Sequence, residues 1–350
     1  MPSLNSTPQN ICILRLSAIG DTCHVVAVLR TLQQAWPGAR FTWVIGALES
    51  TLLGAIPEVE FITVAKRASR AQRTELIRTL RSRRFDVLLH MQLALRASLI
   101  ARHIRAPIKL GFDWRRAREL QWLFTNQRIA ARTREHVLDG FFGFAAALGV
   151  PQRLLRWEPP IPQSARDAAV NVIPDGVRTL IISPCSSHRR RNWSAERYAA
   201  VADYAARVHG MQVLLCGAPS GSEREMGAAI MRQARGPLRN RVGEDTLPQL
   251  LALLARATVL LSPDSGPVHM ATMVGTPVIG LYAATNPARS GPYLSREWCV
   301  NAYPQAAERF RGRPAEELPW TTKIEVPGVM DLIEVPQVTA KLDALLGSAP

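Results

Sequence analysis

Short apolar runs alternate with amphipathic stretches along most of the chain. In the first half, residues 11–16 (ICILRL) read as a buried strand. Residues 22–35 read as a helix whose apolar positions include Val25, Val26, Val28, Leu29 and Leu32. Pro37-Gly38 punctuates the pattern before a second strand over 41–45. Further strands are predicted at 61–64, 87–91 and 108–110, with helices near 74–83, 93–103 and 137–148. The proline-dense stretch RWEPPIPQ then interrupts, since proline removes donors that regular structure needs. Beyond it the alternation restarts, with strands at 179–182, 213–216, 258–261 and 277–282. Helices are predicted at 194–209, 223–234, 247–255, 268–273 and 336–346, Pro336 suiting a first turn.

Strands alternating with helices imply parallel sheets covered on both faces. A length of 350 residues exceeds what one core ordinarily organises. The expected class is therefore α/β with two doubly wound domains: an N-terminal one over 1–155, a proline-rich linker over 156–175 and a C-terminal one over 176–350. In such sheets ligands bind beyond the carboxyl ends of the strands, so the strand-to-helix turns are where chemistry is expected.

Composition narrows the options. A hydrophobic fraction of 47% with 20% charged residues describes a folded globular chain. No apolar run approaches the roughly 18 residues that a membrane span requires, and the polar start MPSLNSTPQN has no secretory core. The cysteines (Cys12, Cys23, Cys185, Cys216, Cys299) are scattered with no CxxC pair, which reads as reduced thiols of a cytoplasmic protein without a zinc site. The net charge of +15 points to polyanionic partners: nucleic acid, an anionic lipid surface or a phosphorylated substrate. From Lys66 to Arg134 roughly 18 basic residues face about 4 acidic ones, so the excess is local. A solvated arginine-rich surface is the plainer reading of the same stretch.

Four turns stand out. Ser17-Ala18-Ile19-Gly20-Asp21 follows the first strand and opens a helix. It lacks the glycines of a dinucleotide fingerprint and the GK[ST] of a P-loop. Asp21 has two readings, a helix N-cap or a general base, and the two oppose each other because capping stabilises the ionised carboxylate. Residues 262–270 (SPDSGPVHM) form a polar turn into a helix, suited to a diphosphate or simply to a helix start, with His269 either in the site or in the core. Residues 183–194 (SPCSSHRRRNWS) place hydroxyls and guanidinium groups at another strand end, and a solvated basic loop is the alternative. Residues 284–293 (ATNPARSGPY) add Arg289, as a phosphate contact or as an exposed loop residue.

At this point the chain resembles glycosyltransferase family 9, the lipopolysaccharide heptosyltransferases. The stretch ILRLSAIGDTCHVVAVLRTLQQAWPGARFTWVI is similar to the family's opening strand, S-x-x-G-D turn and helix. SPDSGPVHMATMVGTPVIGLYAATNPARSGPY is similar to its D-[TS]-G-x-x-H nucleotide motif. The middle, AKRASRAQRTELIRTLRSRRFDVLLHMQLALRASLI and GFDWRRARELQWLF, resembles the type I branch. The likeness covers most of residues 10–295.

The resemblance implies a GT-B fold, two Rossmann-like domains with parallel sheets facing across a cleft. It implies inverting, metal-independent transfer of heptose from ADP-L-glycero-D-manno-heptose to the Kdo/lipid A inner core, with no cofactor. Asp21 matches the proposed base, and Arg191 falls where many members have lysine. Ser186, Ser187, Thr246, Leu247, Asp264, Ser265, Gly266 and His269 match donor-binding positions, and Arg289 is added for the diphosphate. Ser17, Gly20 and His24 belong to the acceptor turn, while Arg67, Arg70 and Arg73 are expected to hold acceptor phosphates. The implied partners are an ADP-sugar donor, an anionic lipid A–Kdo glycolipid and the cytoplasmic face of the inner membrane, with no nucleic acid. Departures include Arg191 for lysine, Pro267 for leucine, and Thr272 for the motif's second alanine. The donor-pocket glutamate falls at Gly221, with Glu223 and Glu225 close by. The tail, residues 301–334, fits the type I branch poorly. A different sugar nucleotide or a later core acceptor is the nearest alternative, and an NAD(P)-dependent oxidoreductase is the alternative of another class.

Overall fold

The computed structural model describes residues 7–347. It divides at Pro160/Ile161 into two compact units. The first carries β1 (Asn10–Leu14), α1 (Ile19–Ala35), β2 (Arg40–Gly46), α2 (Ala47–Leu53), β3 (Val59–Val64), α3 (Arg70–Arg81), β4 (Val87–His90), α4 (Leu95–Ala101), β5 (Ile108–Gly111), β6 (Gln127–Arg128) and α5 (Val137–Ala147). Its six strands lie in the order β3-β2-β1-β4-β5-β6, all pairs parallel.

The second unit runs α6 (Gln163–Val172), β7 (Thr179–Ile182), α7 (Ala195–His209), β8 (Gln212–Leu215), α8 (Gly221–Gln233), β9 (Arg239–Asn240), α9 (Leu247–Arg256), β10 (Val259–Pro263), α10 (Gly266–Met273), β11 (Val278–Tyr282), α11 (Pro287–Ser290), β12 (Val300–Asn301), α12 (Tyr303–Arg311) and α13 (Val335–Gly347). Its sheet, β12-β11-β10-β7-β8-β9, is again all parallel and repeats the same winding.

The inner strands VLLH, TLII and VIGLY are buried along their whole length. Apolar runs of this kind suit a strand covered on both faces by helices, where alternation would leave polar groups inside. In each sheet the chain reverses its direction of winding between two neighbouring central strands, β1 and β4 in one and β7 and β10 in the other. That reversal parts the loops at the carboxyl ends and opens a crevice there.

The stretch 156–175 expected as a linker is mostly structured. Trp157 Nε1 donates to the Cys23 carbonyl at 3.1 Å, and Arg30 donates to the carbonyls of Trp157 and Glu158, which ties this end to the first unit. On the other side α6 packs against α9, and Arg256 donates to the Ile173 carbonyl at 2.6 Å. The connection shrinks to the prolines around residues 159–162. The division between the units thus falls inside the stretch expected as the linker, and α6 begins as soon as Pro162 is passed, at its N-cap.

Candidate active site

In the first unit the sequence places an arginine inside an apolar strand run, and the fold explains it. Arg15 is buried at the end of β1, its Nη1 donating to the Met91 carbonyl at 2.6 Å and its Nη2 paired with Asp21 Oδ2. Burial works against its charge, and Asp21 and Glu49 oppose that loss. Glu49, on α2, is itself buried, which pushes its carboxyl up against the pull of Arg15, Lys66 and Arg96. Gly46 makes this approach possible, since a Cβ there would stand 2.3 Å from Glu49 Oε2 and from the Leu16 carbonyl.

Asp21 does not cap its helix. The N-cap of α1 is Ala18, and no side chain bonds the helix start. Asp21 sits in the first turn with its side chain one-third exposed at 33%, against 10% for Arg15. Its other oxygen, Oδ1, accepts no hydrogen bond from the described residues. The turn bearing Ser17 and Gly20 is pinned from the end of β4, where Gln92 Oε1 accepts from the amides of Leu16 and Ser17 at 3.0 and 3.2 Å. Buried Gln121 in turn donates to the carbonyls of His90 and Gln92. His90 bonds Ser98 Oγ at 3.0 Å through Nε2, and burial, with Arg15 and Lys109 nearby, drives its pKa down to about 3.

His24, expected at the acceptor turn, lies on α1 about one turn beyond Asp21. It is buried within the unit, its ring 5.4 Å from that of His136 in an edge-on contact, because the inward face of α1 carries it into the core. Arg67 lies in the turn after β3, and Arg70 and Arg73 lie on α3, all three exposed. The neighbouring Ala65 carbonyl accepts from Arg96 at 2.6 Å, and the electrostatic coupling of Lys66 to Glu49 links this basic turn to the Arg15 cluster.

The second unit gathers most of its expected residues around Asp264. Arg191 Nη1 lies 3.3 Å from Asp264 Oδ2, and its Nε and Nη2 reach Glu325 Oε1 at 2.8 and 2.7 Å. Ser186 Oγ donates to the Asp264 carbonyl at 2.6 Å, and Ser290 Oγ reaches Asp264 Oδ2 at 3.4 Å. The turns after β7 and β10 and the short helix α11, which carries Arg289, are thereby joined at one strand end. Ser187 is exposed beside them.

Ser265 is the N-cap of α10, yet its Oγ bonds Ser262 Oγ at 2.8 Å and no side chain caps the helix. The first-turn amides of Gly266 and Val268 therefore have no side-chain acceptor, and Pro267 has no N–H to offer. Such a start is electropositive and suits an anion. His269 is buried in α10, and Thr272 Oγ1 returns to the Val268 carbonyl at 3.0 Å. Thr246 caps α9 in a reciprocal box with Gln249, so its hydroxyl serves the helix, with Leu247 following as the first helical residue.

One carboxylate, Glu325, has no role in the sequence reading, and another, Glu223, enters it only as a neighbour of position 221. Glu325 comes from the tail that fits the resemblance poorly. Burial raises its pKa, but the Arg191 bond and charge, with His188 and Lys323, bring it below the usual carboxylate range. Glu223 bends back from α8 so that Oε2 accepts from the Ala218 amide at 2.7 Å, and burial pushes it up. A Cβ on Gly217 would stand 2.6 Å from that same oxygen, so a side chain there would displace the carboxylate. The signal available for Glu325 was indirect: a guanidinium withdrawn from solvent demands counterions, but nothing in the chain says where they come from.

Two all-parallel sheets, each wound in the same order and each with polar turns at its point of reversal, define a pair of Rossmann-like domains of the GT-B class. Residues 73–320 match Glycosyltransferase family 9 (heptosyltransferase), and the chain belongs to that family. It is 41% identical over 345 residues, 99% of both chains, to the lipopolysaccharide core heptosyltransferase OpsX of Haemophilus influenzae. Its fold matches a family 9 glycosyl transferase from Veillonella parvula (TM-score 0.80, 22% identity, 98% of this chain and 100% of that one). It also matches the Escherichia coli heptosyltransferase WaaC with ADP (TM-score 0.72, 19% identity, 96% and 100%). The protein is thus an enzyme of glycosyl transfer.

Proposed function

We propose that this enzyme transfers heptose from ADP-L-glycero-D-manno-heptose to the Kdo/lipid A inner core of lipopolysaccharide, with inversion and without a metal. The observation that carries the reading is Asp21: an acid released from capping, held through one oxygen by buried Arg15, with its second oxygen open. That is the arrangement a general base needs. The full-length likeness to a lipopolysaccharide core heptosyltransferase supports the acceptor class. The solved relative that carries ADP supports the nucleotide.

In this reading Asp21 Oδ1 takes the proton of the acceptor hydroxyl. The acceptor oxygen forms its bond to the anomeric carbon from the face opposite the diphosphate, and the bond from that carbon to the ADP oxygen breaks. Arg191, Arg289 and the open amides at the start of α10 receive the charge that gathers on the leaving diphosphate, an interaction strongest in the transition state. Ser186, Ser187, Ser265, His269 and the backbone at Thr246–Leu247 complete the donor pocket, and Glu223 stands in for the glutamate displaced from position 221. On the acceptor side, Ser17 and Gly20 shape the turn, and Arg67, Arg70 and Arg73 bind the acid groups of the glycolipid at the cytoplasmic face of the inner membrane.

The test is product mass after incubating enzyme and a Kdo-bearing lipid A with ADP-heptose or with other ADP- and UDP-sugars. One heptose added from ADP-heptose alone is the expected result. Transfer only from another nucleotide sugar would replace the donor while leaving the family intact.

A further inference from the structure

Six of the thirteen large hydrophobic side chains exposed among the described residues fall between residues 95 and 123: Leu95, Leu99, Trp114, Leu120, Trp122 and Leu123. They lie on adjoining elements of the first unit. The rings of Trp114 and Trp122 are 5.9 Å apart, α4 packs against the turn at Gln121–Phe124, and the Leu95 amide donates to Glu119 Oε2 at 2.7 Å. Trp114 is 64% exposed and Leu123 58%, so folding gains little from either. Leu120 is half exposed with φ of 60°, a backbone conformation that leucine rarely adopts. Nothing in the stability of the unit asks for a leucine there.

The face is also firmly mounted. Gln121 is fully buried and ties the loop to the carbonyls of His90 and Gln92. Arg116 pairs with Asp113 and Glu135 and donates to the Ala130 carbonyl at 3.1 Å. Around the apolar groups stand arginines. Arg128 lies over the Trp114 ring at 3.8 Å, and Arg96, Arg102, Arg115 and Arg118 are exposed. Between residues 95 and 134 the chain has ten Lys or Arg against two acids, Asp113 and Glu119.

We propose that this Trp–Leu–Arg face docks the first unit onto an anionic lipid bilayer, as a contact separate from the basic turn at 66–73. It deepens the glycolipid reading above, on which it rests for the expectation that the acceptor lies in a bilayer. Indole rings settle at the boundary between acyl chains and headgroups, leucines enter the acyl region, and guanidinium groups meet lipid phosphates. A rigid loop loses little freedom on docking. A second copy of the chain fits less well, because a two-fold contact would set the exposed arginines of this face against their own copies.

Co-sedimentation with phosphatidylethanolamine/phosphatidylglycerol vesicles, compared with phosphatidylcholine vesicles, tests this with the full chain. The wild type is expected to bind the anionic vesicles preferentially. Trp122→Ser/Leu123→Ser should lower that binding by about tenfold or more and keep wild-type transfer to a deacylated, water-soluble acceptor. Brominated lipids should quench wild-type tryptophan fluorescence and quench a Trp114→Phe/Trp122→Phe variant less. Equal vesicle binding by wild type and the Ser variant overturns the proposal, as does a dimer that the same substitutions dissociate. Vesicle binding with no transfer to either acceptor would leave the docking face standing and remove the glycolipid reading instead.

Discussion

The two units share a winding order and use it for opposite ends. Each places an arginine, largely withdrawn from solvent, between two carboxylates at its point of reversal: Arg15 with Asp21 and Glu49, and Arg191 with Asp264 and Glu325. Each also has a helix after a central strand that starts without a side-chain cap, α1 and α10; α2, α4, α6 and α12 lack one too, whereas α3, α7, α8 and α9 start with a serine or threonine cap. The difference lies in what fills the first turn. α1 carries its own acid, Asp21, while α10 has Gly266-Pro267 and no acid at all. One electropositive helix start is occupied from within, presenting a carboxylate. The other carries no acid of its own. In the proposed mechanism the same backbone device serves a base in one unit and a diphosphate site in the other.

Substitutions that break one half of this comparison should leave the other intact. Asp21→Asn keeps the shape and removes the base, and single-turnover transfer should fall by about 10²- to 10⁴-fold while the unfolding midpoint stays close to wild type. Arg191→Ala strips the charge from the proposed leaving-group side and removes the guanidinium that Asp264 and Glu325 share. Its kcat should fall by about 10²-fold or more. Arg191→Lys should recover only part of that loss, because the charge returns without the planar fork that serves both carboxylates.

His90 gives a smaller effect that is specific to the first unit. Its folded pKa of about 3 lies below the ordinary histidine value of 6.5. Between those values the unfolded chain binds the extra proton, so the stability is fully present above 6.5 and is lost as pH falls toward 3. Urea unfolding should lose about 1.4 kcal/mol per pH unit from this group in that window, and His90→Gln should flatten the slope. The smallest effect is expected from Ser265→Asp, which supplies the missing cap. It should stabilise the second unit by about 0.5–1 kcal/mol while weakening ADP binding, as measured by calorimetry.

Much of this architecture was legible because buried parallel strands announce themselves. TLII, at 179–182, is predicted and found with the same bounds. The strands QR, RN and VN were not legible, since two polar-leaning residues at a sheet edge take their conformation from a neighbour rather than from their own pattern. The same limit hid α6 behind its prolines and α12 in the tail. The turns carrying Asp21, Ser186 and Asp264 could be read because each is a short polar segment set directly between an apolar strand and a helix. In a parallel sheet that junction is the carboxyl end of a strand, where ligands bind. Their partners could not be read in the same way. Arg15 stands as a charge inside ICILRL, a position that requires a counterion, but Glu49 lies 34 residues from Arg15, Gln92 76 from the Leu16 amide it accepts from, and Glu325 134 from Arg191, all brought in by tertiary packing.

The proposed mechanism puts the base in the first unit and the anion site in the second. Calorimetric titration of ADP into the wild type, Asp21→Asn and Arg191→Ala tests it most directly. ADP affinity should be unchanged in Asp21→Asn, with transfer lost, and weakened by about 10-fold or more in Arg191→Ala. An Asp21→Asn enzyme that loses ADP, or an Arg191→Ala enzyme that binds it like the wild type, would contradict that division.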